Sequence, residues 1–377
     1  MKIAILTQPL GKNYGGIMQA WALQKVLRDL GHDVTTIDRQ SDERPFIKKL
    51  LLPFKPLIFK VLGRRLYPEL SPEQSQYVYS GMTGFIKNNM QMSQPINSTA
   101  SLKEHYKSQG YDLVVVGSDQ VWRPQYSPNI YNFFVDFLEE GDKAISYAAS
   151  FGVDNWEFDS NQTQICKELA QKFNAISVRE KSAVDLCKDQ LGVEAQFVLD
   201  PTLLVSAAQY EELLTDHSSK NKGKVLTYVL DRNTSKENII NQVAQHLNKE
   251  IFTAQPIKDV REATHASDFK IVDDYKYPAV EEWISSFRDA DFVITDSFHG
   301  CVFSIIFNKP FIAIGNKERG LSRFHSLLST FQLTDRLVLG DEKAILELVD
   351  QKVDWESVNT LLTEYQVSSK EFLSASV

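Results

Sequence analysis

The chain is poor in cysteine and lacks any long apolar run. Its cysteines, Cys166, Cys187 and Cys301, are odd in number and form no C-x-x-C pair, so neither a disulfide framework nor a structural zinc site is indicated. No run approaches the roughly 18 apolar residues of a membrane-spanning helix. The apolar stretch at the start is too short for a signal peptide. A cytoplasmic location is therefore expected.

An excess of positive charge is also lacking. The net charge is -8, with 41 basic against 49 acidic residues, which argues against broad binding to nucleic acid. The glycines of residues 8–16 do not form the pattern G-x-G-x-x-G, so a nicotinamide or flavin cofactor loses its main support. The histidines show no metal-ligand spacing, and no metal is expected.

What the sequence does contain is the pattern of a two-domain α/β protein. Its 377 residues, 43% of them apolar, exceed one ordinary hydrophobic core. Residues 2–7, 17–30 and 33–37 predict a strand, a helix and a strand, and a similar pattern restarts at 224–230, 237–247 and 251–254. We expect an N-terminal domain at 1–205, a C-terminal domain at 206–340, and a helical segment at 341–377 that returns to the first domain.

The segment 44–65 is basic and apolar in an otherwise acidic chain. It holds seven lysines and arginines and no acidic residue, and Pro53 and Pro56 interrupt any single long helix. Two interpretations stay open: peripheral contact with the anionic inner face of a membrane, or a helical hairpin packed on its own domain with its lysines in water.

Polar residues follow several predicted strands at the point where each strand ends. In an open α/β sheet, ligands collect at these ends, where helix N-termini face them. Residues 296–300, Asp-Ser-Phe-His-Gly, join a predicted strand at 292–295 to an apolar helix. His299 in this turn is either a site residue or a helix cap. Further predicted strands are 111–116, 143–147, 175–178, 196–199 and 311–314, and further helices are 181–191 and 280–289.

Several spaced blocks, in order, resemble the polysaccharide pyruvyl transferase family over nearly the whole chain. They are Asn13-Tyr14-Gly15-Gly16 with Gln19 and Ala22-Leu23, and the segments 116–122, 146–152, 177–180, 200–202 and 295–300. The resemblance implies two Rossmann-like domains, as in B-type glycosyltransferases, with a ligand cleft between them. It also implies transfer of a pyruvyl group from phosphoenolpyruvate to a sugar, usually as a ketal on two hydroxyls, without a cofactor.

The chemistry implied by this resemblance needs cations for the carboxylate and phosphate of phosphoenolpyruvate, and a group that carries protons. Arg179 and Lys317 match cationic positions of the family. Arg319 is added by proximity, and Arg323 is a weaker candidate. His299 is the natural proton carrier. The three side chains Arg179, Lys317 and His299 are expected to converge on one pocket.

The remaining candidates would contact the substrates. Asp119, Asp296 and Ser297 are expected to orient groups or to bond sugar hydroxyls, although both aspartates also suit helix or turn caps. Asn13, Gln19 and Trp122 could line the acceptor side, with Trp122 offering a flat face to a sugar or belonging to the core.

Two other functions compete with pyruvyl transfer. One is a nucleotide-sugar glycosyltransferase on the same fold, and the other is a non-catalytic protein that binds carbohydrate. The sequence selects neither the acceptor sugar nor the oligomeric state.

Overall fold

Short apolar runs form two parallel β-sheets, one in each half of the chain. The computed structural model describes residues 1–42, 68–214, 221–315, 321–339 and 342–377. The first sheet contains β1 (Lys2–Leu6), β2 (Asp33–Ile37), β3 (Leu113–Val116), β4 (Ala144–Ala149), β5 (Ala175–Val178) and β6 (Gln196–Phe197). The second contains β7 (Val225–Tyr228), β8 (Ile251–Thr253), β9 (Phe292–Thr295), β10 (Phe311–Ile314) and β11 (Leu337–Val338). Their spatial orders are β2-β1-β3-β4-β5-β6 and β11-β10-β9-β7-β8.

Helices connect and cover the strands. In the first half they are α1 (Tyr14–Asp29), α2 (Pro72–Val78), α3 (Ser80–Asn89), α4 (Thr99–Gln109), α5 (Ser160–Ala170) and α6 (Lys181–Leu186). After the first sheet come α7 (Ala207–Glu211), α8 (Thr234–Leu247), α9 (Val280–Asp289), α10 (Phe298–Ile306), α11 (Ser322–Thr330), α12 (Glu342–Asp350) and α13 (Trp355–Ser376). The expected α/β class with two parallel-sheet domains is confirmed.

Most elements agree with the sequence pattern, and the differences have local causes. Helix α1 begins at Tyr14 instead of residue 17, because the Asn13 side chain accepts a hydrogen bond from the Gly15 amide and caps it. The helix predicted at 181–191 is α-helical to Leu186 and continues as a single π turn, Cys187–Leu191. The basic segment 44–65 lies outside the described residues.

Both sheets reverse their strand order at the strand that begins each half. Strand β1 pairs with β2 on one side and β3 on the other, and β7 pairs with β8 and β9. Ligands of doubly wound folds bind outside the carboxyl ends of strands at such reversals. The turn before α1 and the turn before α10 both lie at these positions.

One hydrophobic core runs through both halves. The Tyr14 ring of α1 stacks on the Trp283 ring of α9, with centroids 5.2 Å apart. Tyr210 lies between Trp21 and Phe303, with centroid distances of 5.6 and 5.0 Å. All nine residues of α10 are buried, as expected for a helix that is apolar on every side.

The C-terminal helix α13 packs against the first half. The Leu199 amide donates a hydrogen bond to Ser369 Oγ at 3.0 Å, and Gln366 Nε2 donates to the Leu203 carbonyl at 2.6 Å. Both contacts brace the segment that leads into and out of Asp200.

Candidate active site

The N-termini of one helix from each half meet at His299. Ser297 caps α10 by accepting a hydrogen bond from the Gly300 amide at 3.4 Å. The His299 ring lies directly against α1, because a Cβ added to Gly15 would lie 2.0 Å from His299 Nδ1. Helix N-termini carry partial positive charge and unpaired amides, so this junction favours an anionic ligand.

Arg179 follows β5 and is buried beside this junction. Its Nη1 donates to Asp200 Oδ2 at 2.8 Å and to Gln19 Oε1 at 3.2 Å. Its Nε and Nη2 atoms have no hydrogen-bond partner among the described residues. One edge of the guanidinium is therefore held in place, and the other edge retains the two-pronged geometry that grips carboxylates and phosphates.

Three carboxylates surround Arg179. Besides Asp200, Glu180 Oε1 lies 3.6 Å from Nε, and Asp119 Oδ1 lies 3.8 Å from Nη2. Burial alone would lower the pKa of Arg179, but the charges of Asp200, Glu180 and Asp119 outweigh it and raise the pKa. The guanidinium is thus firmly charged although it is 4% exposed.

Asp200 links Arg179 to His299. Its Oδ2 accepts from Arg179 and lies 3.7 Å from His299 Nε2, a distance longer than a hydrogen bond. Its Oδ1 accepts from the Thr202 hydroxyl at 2.6 Å and from the Thr202 amide at 3.0 Å. Burial would raise the pKa of Asp200, but its interactions with His299, Arg179 and Thr202 prevail and lower it.

The Phe298 ring makes cation–π contacts with two arginines. The Arg179 guanidinium carbon lies 4.6 Å from the centre of its ring, and that of Arg323 lies 5.9 Å from the same ring. Burial and the nearby charge of Arg179 lower the pKa of Arg323 to about 10. The guanidinium of Arg323, on α11, thus lies over the same phenylalanine ring as the guanidinium of Arg179.

Several of the sequence-predicted residues come together here. Arg179 and His299 both contact Asp200. Gln19 accepts from Arg179, and Asp119 lies near both Arg179 and Gly16. Asn13 and Ser297 cap the two facing helices. Lys317 and Arg319 lie outside the described residues.

For two predicted residues, the structure shows the structural one of the two alternatives that the sequence left open. Trp122 is fully buried, donates a hydrogen bond to the Phe133 carbonyl at 2.9 Å and stacks on Phe134, so it presents no face to a sugar. Asp296 is 1% exposed. Its oxygens accept from the Leu230 and Asp231 amides and from Lys236 Nζ at 2.6, 3.1 and 2.6 Å, which leaves it a structural anchor and not a sugar ligand.

The sequence analysis did not select Asp200 and Glu180 as site residues. Both follow strands of the first sheet at its carboxyl edge, as Arg179 does. Glu180 accepts a hydrogen bond from Ser150 Oγ at 2.5 Å, which fixes it beside the guanidinium. Their position after a strand was the signal that could have identified them.

A polar and aromatic pocket of about 370 Å³ opens at the start of α1. Asn13 and Tyr14 line it from the first half, and residues of the second half, including Tyr228, Arg261 and Tyr277, line the opposite side. Among the described residues, no group of three or more His, Cys, Asp or Glu side chains is arranged to hold a metal ion. The helices formed by the described residues are all too short or too polar to cross a membrane.

Two facing Rossmann-like sheets with polar residues at their switch points define the class, an α/β protein with the fold of B-type glycosyltransferases and related epimerases. The chain is similar to UDP-GlcNAc 2-epimerase from Neisseria meningitidis, with a TM-score of 0.55, 10% identity and coverage of 100% of this chain and 99% of that one. It is also similar to the glycotransferase of kitacinnamycin, with a TM-score of 0.53, 12% identity and coverage of 100% and 98%. At these identities the likeness shows the fold alone.

The sequence defines the family. The model of the polysaccharide pyruvyl transferase family matches residues 13–318, which is most of the chain, and the chain belongs to this family. No curated protein matches the chain in sequence.

Proposed function

We propose that this protein transfers the pyruvyl group of phosphoenolpyruvate to two hydroxyls of a sugar in a polysaccharide or its precursor, forming a ketal. The observation that carries the proposal is the buried Arg179 guanidinium, which shares Asp200 with His299 and whose Nε and Nη2 make no hydrogen bond among the described residues, in a chain of this family. A donor with a carboxylate and a phosphate matches such an arrangement, because planar guanidinium groups bind oxyanions with two parallel hydrogen bonds.

The donor site is formed by cations from both halves. Arg179 belongs to the first sheet, and Arg323 and His299 belong to helices of the second half. The two helix N-termini at Gly15 and His299 add partial positive charge. Lys317, by its family position, would supply a further cation.

The reaction balances without an additional reactant. The CH2 carbon of phosphoenolpyruvate gains one proton and becomes a methyl group. The central carbon loses its double bond to that carbon and its bond to the phosphate oxygen, and it forms two bonds to the sugar oxygens. Of the two protons released by the hydroxyls, one goes to the methyl carbon and one leaves with phosphate. His299 carries protons in these reaction steps, since imidazole both accepts and donates protons near neutral pH.

Acceptor-dependent release of phosphate from phosphoenolpyruvate tests the proposal. Purified protein would be incubated with phosphoenolpyruvate and a panel of β-linked sugars, and the sugar product would be examined by mass spectrometry for the added ketal. The same panel would be incubated with nucleotide sugars. Glycosyl transfer from a nucleotide sugar, with phosphoenolpyruvate untouched, would instead identify a glycosyltransferase.

A matched pair of variants assigns the role of the histidine. His299→Asn should lower kcat by about 10²- to 10⁴-fold, the usual contribution of a general acid or base. His325→Asn makes the same change at an exposed position on α11 and should leave kcat unchanged. Glycan binding without turnover in the parent protein would indicate a non-catalytic relative.

A further inference from the structure

The two nitrogens of the His299 ring face different surroundings. Nε2 lies 3.7 Å from Asp200 Oδ2 and has no hydrogen-bond partner among the described residues. The other nitrogen lies against α1, because a Cβ added to Gly15 would be 2.0 Å from Nδ1, 2.6 Å from Cγ and 2.7 Å from Cε1. The ring is therefore held between a carboxylate on its Nε2 side and the N-terminus of a helix on its Nδ1 side.

The group on the Nε2 side is an ionised carboxylate. Asp200 Oδ1 accepts hydrogen bonds from the hydroxyl and amide of Thr202, and Oδ2 accepts from Arg179. Burial would raise the pKa of Asp200, but its interactions with His299, Arg179 and Thr202 prevail and lower it. An ionised carboxylate only accepts hydrogen bonds. The ring nitrogen that faces Asp200 is therefore more stable with a proton than without one.

The backbone on both sides of Asp200 is also held by buried hydrogen bonds. The Tyr147 hydroxyl donates to the Leu199 carbonyl at 3.0 Å, and the Tyr210 hydroxyl donates to the Thr202 carbonyl at 2.9 Å. Both tyrosines are fully buried. Turning the carboxylate away from His299 would leave several of these groups without partners, which is costly in the interior. Asp200 is thus fixed firmly enough to orient a neighbouring ring.

The Nδ1 side of the ring faces the opposite polarity. Gly15 lies in the first turn of α1, and the N-terminus of a helix carries partial positive charge. An N–H group directed at this charge is destabilised, whereas the lone pair of an unprotonated nitrogen is stabilised. Two separate features of the fold therefore favour the same tautomer of the neutral ring, with the proton on Nε2 and the lone pair on Nδ1.

We propose that Asp200 is a positioning residue that keeps the proton of neutral His299 on Nε2, so that Nδ1 is the nitrogen that exchanges protons with the substrates. The tautomer follows from the geometry of the site, and its catalytic use rests on the proposed function. The separation of 3.7 Å between Nε2 and Oδ2 is compatible with this role, because hydrogen bonds of catalytic groups are often long without a ligand and tighten during the reaction.

The proton transfers assigned to Nδ1 balance the reaction. Nδ1 accepts the proton of the first sugar hydroxyl as that oxygen bonds to the central carbon, and the imidazolium gives this proton to the CH2 carbon, which receives the electron pair of the double bond. Nδ1 then accepts the proton of the second hydroxyl and gives it to the departing phosphate, which takes the electron pair of its bond to carbon. Asp200 stays ionised throughout and stabilises the imidazolium.

The tautomer is measurable without any substrate. Protein with ¹⁵N-labelled histidines is examined by long-range ¹H–¹⁵N correlation spectra at about pH 9, well above the ordinary imidazole pKa of about 6.5. His299→Asn and His325→Asn identify the two sets of signals by their absence. His325 is exposed on α11 and serves as the reference for an imidazole in water. The fraction with the proton on Nε2 should be larger in His299 than in His325, and an equal or smaller fraction would overturn the inference.

Asp200→Asn tests whether the carboxylate is the cause. The fraction of His299 with its proton on Nε2 should fall to that of His325 or below, and kcat should fall by about 100-fold or more, the usual contribution of proton transfer. Glu180→Gln is the matched control, since Glu180 is a second buried carboxylate beside Arg179, 3.6 Å from its Nε. It should leave the tautomer of His299 as in the parent. An unchanged tautomer in Asp200→Asn, or the same loss in Glu180→Gln, would contradict the role of Asp200.

The spectrum of the parent protein needs no substitution at Asp200, so a folding defect in that variant does not affect the first test. The samples contain no phosphoenolpyruvate, and the result is therefore independent of the donor reaction. A ring with its proton on Nε2 in a protein that does not turn over phosphoenolpyruvate would contradict the proposed function alone. Turnover by a protein whose His299 matches His325 would contradict the positioning role alone.

Discussion

At the scale of single residues, the site depends on a guanidinium that is held by one edge. Asp200 and Gln19 fix Nη1 of Arg179, while Nε and Nη2 make no hydrogen bond among the described residues and lie 3.6 and 3.8 Å from Glu180 and Asp119. A buried ion pair by itself gives little net stability, and the proposed function therefore assigns Arg179 to ligand binding.

Arg179→Lys should raise the KM for phosphoenolpyruvate by roughly 10- to 100-fold, while the protein stays folded. The lysine keeps the charge next to Asp200 but loses the two-pronged contact, and a hydrogen bond to a charged group contributes about 1.5–3 kcal/mol. Steady-state kinetics with varied phosphoenolpyruvate measures the effect. Arg288→Lys alters an arginine that bonds Asp289 through two nitrogens on α9, and it should leave KM unchanged. An unchanged KM in Arg179→Lys would show that this guanidinium does not bind the donor.

In Asp200→Asn, the free energy of unfolding should fall less steeply as the pH is lowered than it does in the parent protein. The folded-state pKa of Asp200 is lowered, so its ionised form adds stability that is fully present above the unfolded pKa of about 4 and is lost as pH falls. Urea unfolding between about pH 5 and pH 3 should show a shallower decline in the variant than in the parent.

Asp29→Asn is the control for that profile, since Asp29 is exposed and pairs only with Lys25 among the described residues. It should decline in parallel with the parent. Equal slopes for the parent and Asp200→Asn would show that Asp200 is not the residue that titrates.

Sequence reasoning selected His299 from its turn after a predicted strand and Arg179 from the family resemblance, and the structure places both side chains next to Asp200. For Trp122 it left a sugar-facing and a core position open, and the structure shows the core position. The direction of a side chain beyond a strand depends on the turn. Gly117 and Asp119 have φ values of 127° and 79°, which breaks the alternation that a strand pattern would extrapolate.

At the scale of elements, the two facing helices require a residue without a side chain at their contact. Gly15 of α1 has no space for a Cβ, because His299 Nδ1 would lie 2.0 Å from it. The position of the imidazole therefore depends on a glycine in the opposite half of the molecule.

Gly15→Ala should displace the imidazole and lower kcat at least tenfold, because the added methyl group overlaps the ring. Gly84→Ala provides the matched control, since a Cβ on Gly84 in α3 meets nothing within 4 Å. That change should leave kcat intact and stabilise the fold by about 0.5–1 kcal/mol, as alanine does in a helix. Steady-state kinetics and denaturant unfolding of the two variants test this prediction. Full activity in Gly15→Ala would contradict the close contact between Gly15 and the His299 ring.

Elements were predictable where periodicity was strong. The strands at 292–295 and 311–314 and the helix at 280–289 are as the pattern indicates. The segment between β8 and α9, which lines one side of the 370 Å³ pocket, contains short 3-10 turns without a repeating pattern. Its shape comes from packing on α2 and α3, for example the Tyr277 amide bonding the Val78 carbonyl, and no local signal encodes that contact.

At the scale of the whole molecule, one hydrophobic cluster contains residues of both halves, in addition to clusters confined to each half. Tyr14 and Trp21 of α1 pack with Trp283 and Phe303 of the second half, and the Tyr14 hydroxyl donates to the Pro278 carbonyl at 2.6 Å. Sequence reasoning anticipated two domains, but it could not pair these residues, because complementary side chains far apart in sequence leave no periodic trace.

The protein should therefore unfold in one calorimetric transition, with a van't Hoff enthalpy equal to the calorimetric enthalpy. Trp283→Ala should lower the Tm of the entire transition, since truncating a fully buried aromatic costs about 3–5 kcal/mol. Val367→Ala, at a position 52% exposed, should leave the Tm in place. Two separate transitions in the parent protein would show that the halves are energetically independent.

The shared core also restricts how this fold can recombine. A hybrid that joins the first half of this chain to the second half of another family member would have to match the aromatic surface that Tyr14 and Trp21 present. A mismatch there would also shift Gly15 relative to the imidazole. Exchange of halves between family members would thus require the contact residues on both sides to change together.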